Sequence, residues 1–326
     1  MLNGSRRQRF LGAVSRGVRA RPRSAMAVGA LGVATSGVFI DLSGVAPATA
    51  TFFRCALPLP LLWPLAGGER GREGALSWRQ AAVAVTAGVL FAADALLWTR
   101  AIYEVGAGLT AVLVNAQVVI VPLLALLIDR EPIRGAFLVV SPFLVAGILL
   151  TGGVFETGAS GSDPVSGTVH AVLAALCYSA FLFLLRRGGH NGQVVQSYRV
   201  VLLSAAVVGA LWPGVTFTPG WAALGWLALT AVCGQIGGWL LIALATAHLS
   251  STVSAAMLML TPVGALALAA VVLGEQPTML QLSGCALILV SAYAASTSGS
   301  GRRRITATVR KRLGDSRKPP PEIRSR

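Results

Sequence analysis

The sequence predicts an all-α integral membrane protein of ten transmembrane helices, arranged as two inverted five-helix repeats. Three observations support this prediction: the composition, the spacing of apolar runs and the placement of basic residues. The chain has 326 residues, of which 55% are hydrophobic and only 12% are charged, and its mean hydropathy is +0.71. Soluble domains carry about 25% charged residues. Most of the outer surface is therefore expected to face lipid.

Ten apolar runs have the length of membrane-spanning helices, since a bilayer core about 30 Å thick requires about 20 apolar residues. They lie at 26–45, 50–66, 80–99, 106–128, 134–153, 165–185, 194–212, 220–243, 250–273 and 278–297. Short segments rich in glycine, proline or charged residues separate them. We therefore expect a basic N-terminal tail, a first repeat, a linker, a second repeat and a basic, disordered C-terminal tail, at 1–25, 26–153, 154–164, 165–297 and 298–326.

The basic residues fall on one side of the predicted membrane. With ten helices and a cytoplasmic N-terminus, 24 of the 27 Lys and Arg residues lie in cytoplasmic segments, and only Arg100 lies in an outer loop. Cytoplasmic segments of membrane proteins carry this excess of basic residues. The other two, Arg54 and Arg199, lie within helices. The pattern predicts a bacterial-type plasma (inner) membrane protein with both termini in the cytoplasm.

The net charge of +15 does not indicate a nucleic-acid-binding protein. Seven arginines precede residue 24 and ten Lys or Arg residues follow residue 301, so 17 of the 27 basic residues lie in the two tails. Basic segments beside a membrane helix attract anionic lipid. We expect anionic lipid, and no nucleic acid, as the partner of the tails, while the oligomeric state stays open.

The two halves of the sequence resemble each other. A shift of about 144 residues superposes Arg54 on Arg199, the segment 98–115 on the segment 242–259, and Glu131 on Glu275. Because each half has five predicted helices, an odd number, the halves must insert with opposite orientations. Inverted repeats of this kind are typical of secondary transporters, whose binding sites lie near the midplane between the halves.

Several features of the halves recur together in one known family. They are an arginine early in the second helix of each half, small residues in helices four and nine, and a glutamate that closes each of those helices (Arg54, Arg199, Glu131 and Glu275). On these features the chain resembles the EamA-type branch of the drug/metabolite transporter superfamily over residues 26–297, and the segment 91–117 is similar to a run common in bacterial members. The first half departs from the pattern, because Pro262 has no partner at Val118. The resemblance implies ten helices and the export or exchange of small metabolites, and it does not fix the substrate.

Asp94 is the first candidate site residue, because it lies within the third predicted helix. A charged side chain at a helix centre costs about 2.5–3.5 kcal/mol. Asp94 is expected to act as a protonatable coupling group or as a counter-ion for a substrate ammonium; the alternative is a structural pair with Arg54. Arg54 and Arg199 are candidates for binding a substrate carboxylate through a two-pronged guanidinium contact. Their recurrence in both halves favours a structural role instead.

Polar amides and aromatic residues complete the candidate site. Asn115 and Gln117 lie in helix four, and Gln235 lies in helix eight, where buried amides need partners from a solute cavity or from neighbouring helices. Trp239 lies four residues after Gln235 and is expected on the same helix face. Two further aromatic residues suit the wall of a pocket, although aromatic residues at helix ends also anchor helices at the membrane surface; they are Trp98 and Tyr178.

Other function classes find little support in the sequence. It contains no GxxxxGK[ST] motif, which argues against ATP-driven transport by this chain alone. It has no HExxH or GxSxG motif and no paired acids within one helix, so no enzyme activity is expected. The four cysteines lie in apolar runs without a CxxC motif, and the three histidines are scattered, so neither a metal site nor a cofactor is expected. A non-transporting membrane scaffold remains the alternative to a transporter.

Export of an amino-acid-like zwitterion is the preferred function, because one buried acid and an arginine would bind its two charges. Efflux of amphiphilic cations or drugs is the rival. The zwitterion hypothesis requires that Arg54 or Arg199 face the same space as Asp94. It fails if both arginines face lipid headgroups.

Overall fold

The computed structural model describes residues 18–130, 135–188, 193–246 and 248–298. Within these ranges the regular secondary structure is helical, and no β-strand is present. Of the basic tails predicted at 1–25 and 298–326, residues 1–17 and 299–326 lie outside the described residues, and so does Glu131, the glutamate predicted to close the fourth helix.

The first half of the chain forms five consecutive helices, which we number in chain order. They are α1 (Pro22–Ser43), α2 in two parts (Pro47–Ala56 and Leu59–Glu73), α3 (Trp78–Val105), α4 (Ala107–Asp129, with a 3₁₀ turn at Val114–Ala116) and α5 (Gly135–Thr151). Helix α3 begins with a capping box, in which Oγ of Ser77 accepts the N–H of Gln80 and Oε1 of Gln80 accepts the N–H of Ser77. These two bonds satisfy donors that a helix start leaves without partners.

The second half continues with five more. They are α6 (Pro164–Gly188), α7 (Val194–Leu211), α8 in three parts (Trp221–Leu229, Thr230–Gly238 and Trp239–Thr246), α9 in three parts (Ser251–Leu258, Leu260–Leu268 and Ala269–Leu273) and α10 (Met279–Ser298). The middle part of α8 and the last part of α9 are π-helical. Short π-helical segments are rare and occur frequently at functional sites.

Seven helices of the described chain are long and apolar enough to cross a membrane. They are Pro22–Ser43, Trp78–Val105, Ala107–Asp129, Pro164–Leu184, Val194–Leu211, Trp221–Gly238 and Ala256–Leu273. Two apolar helices are shorter, Phe137–Thr151 and Met279–Ala295. The run predicted at 50–66 is not one uninterrupted helix, because α2 breaks at Leu57 and Pro58 and proline lacks the N–H that a helix interior requires. The count of ten spans therefore remains a prediction.

The two halves interlock helix by helix. Pairs in contact between the halves include α3 with α6, α1 with α8, α2 with α7, α4 with α9 and α5 with α10. If each helix of the first half is exchanged with the helix five places later, the α1–α8 pair becomes the α6–α3 pair. The other three pairs are then unchanged. This is the pattern of contacts that an approximate twofold axis between the halves produces.

Glycines bring α1 and α8 into backbone contact. A Cβ atom added at Gly29 would lie 2.9 Å from the carbonyl oxygen of Gly238, and one added at Gly32 would lie 2.8 Å from the carbonyl oxygen of Cys233. Small residues allow such close packing between membrane helices, where the gain comes from van der Waals contact. The α1–α8 contact therefore packs the π-helical part of α8 directly against the backbone of α1.

At one end of α3, Glu275 joins the two halves. It follows α9, and its Oε1 and Oε2 accept the N–H groups of Ala107 and Gly108 at 2.6 and 3.1 Å. These N–H groups open α4, where the helix dipole favours a negative charge. Burial raises the pKa of the Glu275 carboxyl above its usual value, and the two backbone donors act in the opposite direction. We call this contact the α9–α4 clasp.

Near the other end of α3, Glu69 makes a similar contact, in which the carboxylate belongs to the first half and the helix start to the second. Its carboxylate accepts the N–H groups of Val195 and Gln196 at 3.0 and 2.8 Å, at the start of α7. In return, Nε2 of Gln193 and of Gln196 donate to the carbonyl oxygen of Gly74 at 3.3 and 3.0 Å. We call this contact the α2–α7 clasp. Each clasp thus links a carboxylate of one half to a helix start of the other.

Candidate functional site

Asp94 lies on the face of α3 that is turned into the bundle. Its side chain is 6% exposed, and among the described residues no hydrogen bond or ion pair involves its carboxylate. Phe91 and Trp98 lie three residues before and four residues after it, which places all three on one face of the helix. An acid in this setting is costly to bury without a partner, so its open carboxylate is the first mark of a site.

Arg54 on α2 lies over the same face of α3. Its guanidinium carbon is 5.0 Å from the centre of the Trp98 ring and 5.6 Å from that of the Phe91 ring, distances at which a cation is attracted to an aromatic face. The charges of Arg54 and Asp94 interact, but no direct ion pair between them is among those of the described residues. The arginine and the acid thus face each other without contact.

Gln235 forms a hydrogen bond with Arg54. Nε of Arg54 donates to Oε1 of Gln235 at 3.2 Å, and Nε2 of Gln235 donates to the hydroxyl oxygen of Tyr198 at 2.6 Å. Gln235 is 4% exposed and belongs to the π-helical part of α8. The chain of bonds Arg54–Gln235–Tyr198 therefore links α2, α8 and α7, and it spans both halves of the protein.

Aromatic side chains surround the arginine and the acid. Phe181 on α6 lies 5.1 Å from Phe91 and 5.8 Å from Tyr178, measured between ring centres. Tyr178 also lies within electrostatic reach of both Asp94 and Arg54. The buried thiol of Cys55 on α2 packs in the same cluster. This arrangement offers two opposite charges in an otherwise apolar and aromatic setting.

The structure brings five predicted site residues together and leaves four apart. The group comprises Asp94, Arg54, Trp98, Tyr178 and Gln235. No hydrogen bond, ion pair or ring contact among the described residues joins the other four to it: they are Arg199, Trp239, Asn115 and Gln117. The guanidinium carbon of Arg199 lies 4.9 Å from the ring centre of Trp63, a residue that is 57% exposed. Arg199 is therefore directed toward the periphery of the bundle.

The remaining three have separate environments. Nδ2 of Asn115 donates within its own helix, to the carbonyl oxygens of Ala111 and Val112, at 3.1 Å each. Gln117 is half-buried at the start of the last part of α4. Trp239 is 38% exposed and Gln235 is 4% exposed, and the shared helix face of these two residues stays a prediction. The π-helical turn changes the angle between these two residues relative to an α-helix.

Two further residues that contact this group, Phe91 and Tyr198, escaped the sequence analysis. Phe91 had a usable signal, because a residue three positions before Asp94 shares its helix face. Tyr198 had none that distinguishes it, since it is the neighbour of Arg199, and adjacent residues on a helix point about 100° apart. In the described ranges no group of three or more His, Cys, Asp or Glu side chains is placed to hold a metal ion.

Comparisons with known proteins agree with this architecture. The sequence model of the EamA-like transporter family matches residues 24–153 and again residues 165–297. No curated protein matches the chain. A solved structure titled "Crystal structure of protein" is similar with a TM-score of 0.56 and 18% sequence identity, over 87% of this chain and 98% of that chain. At this identity the likeness concerns the fold alone.

Proposed function

Because this chain belongs to the EamA-like transporter family and is a multi-pass membrane protein with several apolar helices, we propose that it exports an amino-acid-like zwitterion by alternating access. In this proposal all ten helices cross a bacterial-type plasma membrane and both termini are cytoplasmic. The five-helix repeats at 26–153 and 165–297 move against each other around the group formed by Asp94 and Arg54. The family resemblance supports export as the direction.

One observation carries the choice of substrate: Asp94 and Arg54 face each other but do not pair. Arg54 uses Nε for Gln235, which leaves its two terminal nitrogens to hold a carboxylate in a two-pronged contact. The Asp94 carboxylate has acceptor sites for the three donors of an ammonium group. A zwitterion bound between them would complete both sets of contacts at once.

Transport into proteoliposomes tests the proposal. The purified protein is supplied with labelled amino acids, and each is competed with the matching amine that lacks the carboxylate and the matching acid that lacks the amine. We expect saturable uptake of at least one amino acid, which neither single-charge analogue blocks effectively. Asp94→Asn should reduce this uptake about tenfold or more, because a hydrogen bond to a charged group contributes about 1.5–3 kcal/mol. If no amino acid moves under any condition, the proposal is wrong.

An imposed pH gradient in the same vesicles separates two roles of Asp94. If the gradient drives accumulation in the wild type and the drive is lost in Asp94→Asn, the carboxylate couples transport to protons. Asp94→Glu serves as the control that keeps the charge. Uptake that ignores the gradient in both proteins assigns Asp94 to substrate binding alone.

The efflux of amphiphilic cations is a second candidate, favoured by the aromatic rings around Asp94. Phe91, Trp98 and Tyr178 offer ring faces that attract organic cations. In this case amines and cationic drugs move as well as, or better than, the amino acids, and Arg54→Gln does not impair them. The two candidates are therefore separated by the requirement for the arginine.

We also propose that the basic tails bind anionic lipid. Seventeen basic residues lie there, and each contributes about 1 kcal/mol near an anionic membrane surface. Flotation of the full chain with vesicles cannot isolate this contribution, because the helices insert into any bilayer. A synthetic peptide of residues 299–326 should bind vesicles that contain an anionic lipid, and fail to bind neutral vesicles.

A further inference from the structure

We propose that Gln235 and Tyr198 are positioning residues that hold Arg54 away from Asp94, and that they thereby set the selectivity for a carboxylate-bearing substrate over the matching amine. The inference rests on the proposed function. It assigns to Gln235 a role through Arg54 in place of direct contact with the solute, and it adds Tyr198 to the site.

The donors and acceptors fix the direction of the hydrogen-bond chain. A guanidinium has only donors, so the oxygen of the Gln235 amide must face Arg54. The NH₂ group then points to Tyr198, whose hydroxyl oxygen accepts at 2.6 Å. Removing the Tyr198 hydroxyl leaves this NH₂ group buried beside a ring edge, since Gln235 is only 4% exposed. The amide loses the contact that holds its oxygen toward Arg54.

Arg54 needs this restraint because an opposite charge lies nearby. The ring centres of Trp98 and Phe91 lie 5.0 and 5.6 Å from the guanidinium carbon. Ring faces attract a cation, but they do not fix the orientation of the guanidinium plane or of its N–H groups. The bond from Nε to Gln235 fixes that edge. Without it, the guanidinium is free to turn and pair with the Asp94 carboxylate. That ion pair removes both charged groups that a bound zwitterion would contact.

The backbone that carries Gln235 is itself held in place. Gln235 belongs to the π-helical segment Thr230–Gly238, and its neighbour Gly234 packs so closely on α1 that an added Cβ would collide with Oγ of Ser36. Gly238 meets Gly29 in the same contact between helices. A side chain on a backbone fixed in this way is suited to orienting another residue.

The test compares the selectivity of three variants. In proteoliposomes, KM and kcat are measured for a transported amino acid and for its matching amine. Gln235→Glu gives Arg54 a permanent carboxylate partner in competition with the substrate carboxylate. KM for the amino acid should therefore rise about tenfold or more, because hydrogen bonds to charged groups are worth this factor. KM for the amine should not rise. Tyr198→Phe should shift the ratio of the two KM values in the same direction by a smaller factor.

Tyr103→Phe is the matched control, because it also removes the hydroxyl of a half-buried tyrosine that makes hydrogen bonds. That hydroxyl donates to the backbone carbonyls of Ile40 or Val45, at 3.2 and 2.9 Å, away from Arg54. It is expected to lower thermal stability without changing the ratio of KM values. If Gln235→Glu does not fold, as judged by thermal unfolding in detergent, Tyr198→Phe decides the question.

The outcomes separate the inference from the function on which it rests. If the wild type moves amino acids and neither Gln235→Glu nor Tyr198→Phe changes the ratio of KM values more than Tyr103→Phe does, the positioning role is wrong and the proposed function stands. If the wild type moves amines but no amino acid, both fail. A change in kcat alone, equal for both substrates, also overturns the positioning role.

Discussion

Glu275 and Ala107 are 168 positions apart in the chain, and a hydrogen bond of 2.6 Å joins the carboxylate of one to the backbone N–H of the other. Gly106 directly precedes Ala107, and its φ of 100° belongs to the region that favours glycine. A Cβ atom at Gly106 would also lie 2.9 Å from Cδ of Glu275. The α9–α4 clasp therefore depends on a glycine as much as on a glutamate.

The two clasps predict separate gates at the two ends of the bundle. Glu275→Gln removes the charge from the α9–α4 clasp and should weaken it by about 1–3 kcal/mol. The measurement is the labelling rate of Cys177, a half-buried thiol within electrostatic reach of Asp94, in a variant whose other three cysteines are alanine. In the proposed orientation, a membrane-impermeant thiol reagent added outside should label it faster after Glu275→Gln.

Glu69→Gln is the matched variant at the other clasp. Glu69→Gln should speed the labelling of Cys177 when the reagent reaches the cytoplasmic side, as it does in inverted vesicles. It should not speed labelling by reagent added outside. Acceleration of labelling by both variants from the same side contradicts separate gates.

The two repeat-related arginines should differ in their effect on transport. Arg54→Lys keeps the charge but loses the bond from Nε to Gln235, so uptake of the amino acid should fall about tenfold or more. Arg199→Lys keeps a cation beside the exposed ring of Trp63, and uptake should change by no more than about twofold. Initial uptake rates at equal protein density check this pair. Equal losses in both variants indicate that the arginines serve the fold and not the solute.

Close packing of α3 on α7 predicts a sharp cost for one small substitution. A Cβ at Gly88 would lie 2.6 Å from the carbonyl oxygen of Val201 and 2.6 Å from Cβ of Ser204. Gly88→Ala should therefore lower the free energy of unfolding by about 1–3 kcal/mol. Gly225→Ala is the control within another apolar helix, with nothing within 4 Å of the added atom, and should be neutral or stabilising by up to about 1 kcal/mol. Thermal unfolding in detergent distinguishes them, and equal shifts refute the packing argument.

The ten-span arrangement predicts which loops face outward. Cysteines placed at the exposed positions Thr157 and Thr218 should react with an impermeant reagent on intact cells. A cysteine at the exposed Ala75 should react only after the membrane is opened. Reaction of Ala75→Cys on intact cells, or protection of Thr157→Cys, contradicts the proposed orientation. A cysteine-free background provides the control for labelling of native thiols.

Hydropathy and charge were sufficient to predict the helical class and the membrane setting, because these are properties of short stretches of sequence. The family was predicted from a resemblance carried by residues that recur in the two halves. The same local reasoning selected Asp94, an acid in an apolar helix. It failed to see the break in α2, because the prolines at 58, 60 and 64 lie in a run that still counts as apolar. It also gave no sign of the π-helical part of α8.

The composition of the site depends on which helices meet, and no local pattern contains that information. Arg54 and Arg199 are equivalent in sequence, and only the packing of α2, α3 and α8 shows that Arg54 faces Asp94. Tyr198 enters the site because α7 turns it inward while its neighbour Arg199 points outward. Such choices depend on contacts between residues more than a hundred positions apart.

The repeat-related positions 94 and 238 carry different residues, and this difference bears on how such a protein evolves. The shift of about 144 residues that relates the halves matches Asp94 with Gly238, the glycine that packs on α1. A homodimer of one five-helix unit would have to place an acid, or a glycine, at both positions, because its two copies share one sequence. Fusion of the two copies into one gene removes that constraint. In the proposed function, position 94 then keeps a charge for the solute while position 238 becomes a packing contact, an assignment that two copies of one sequence could not encode.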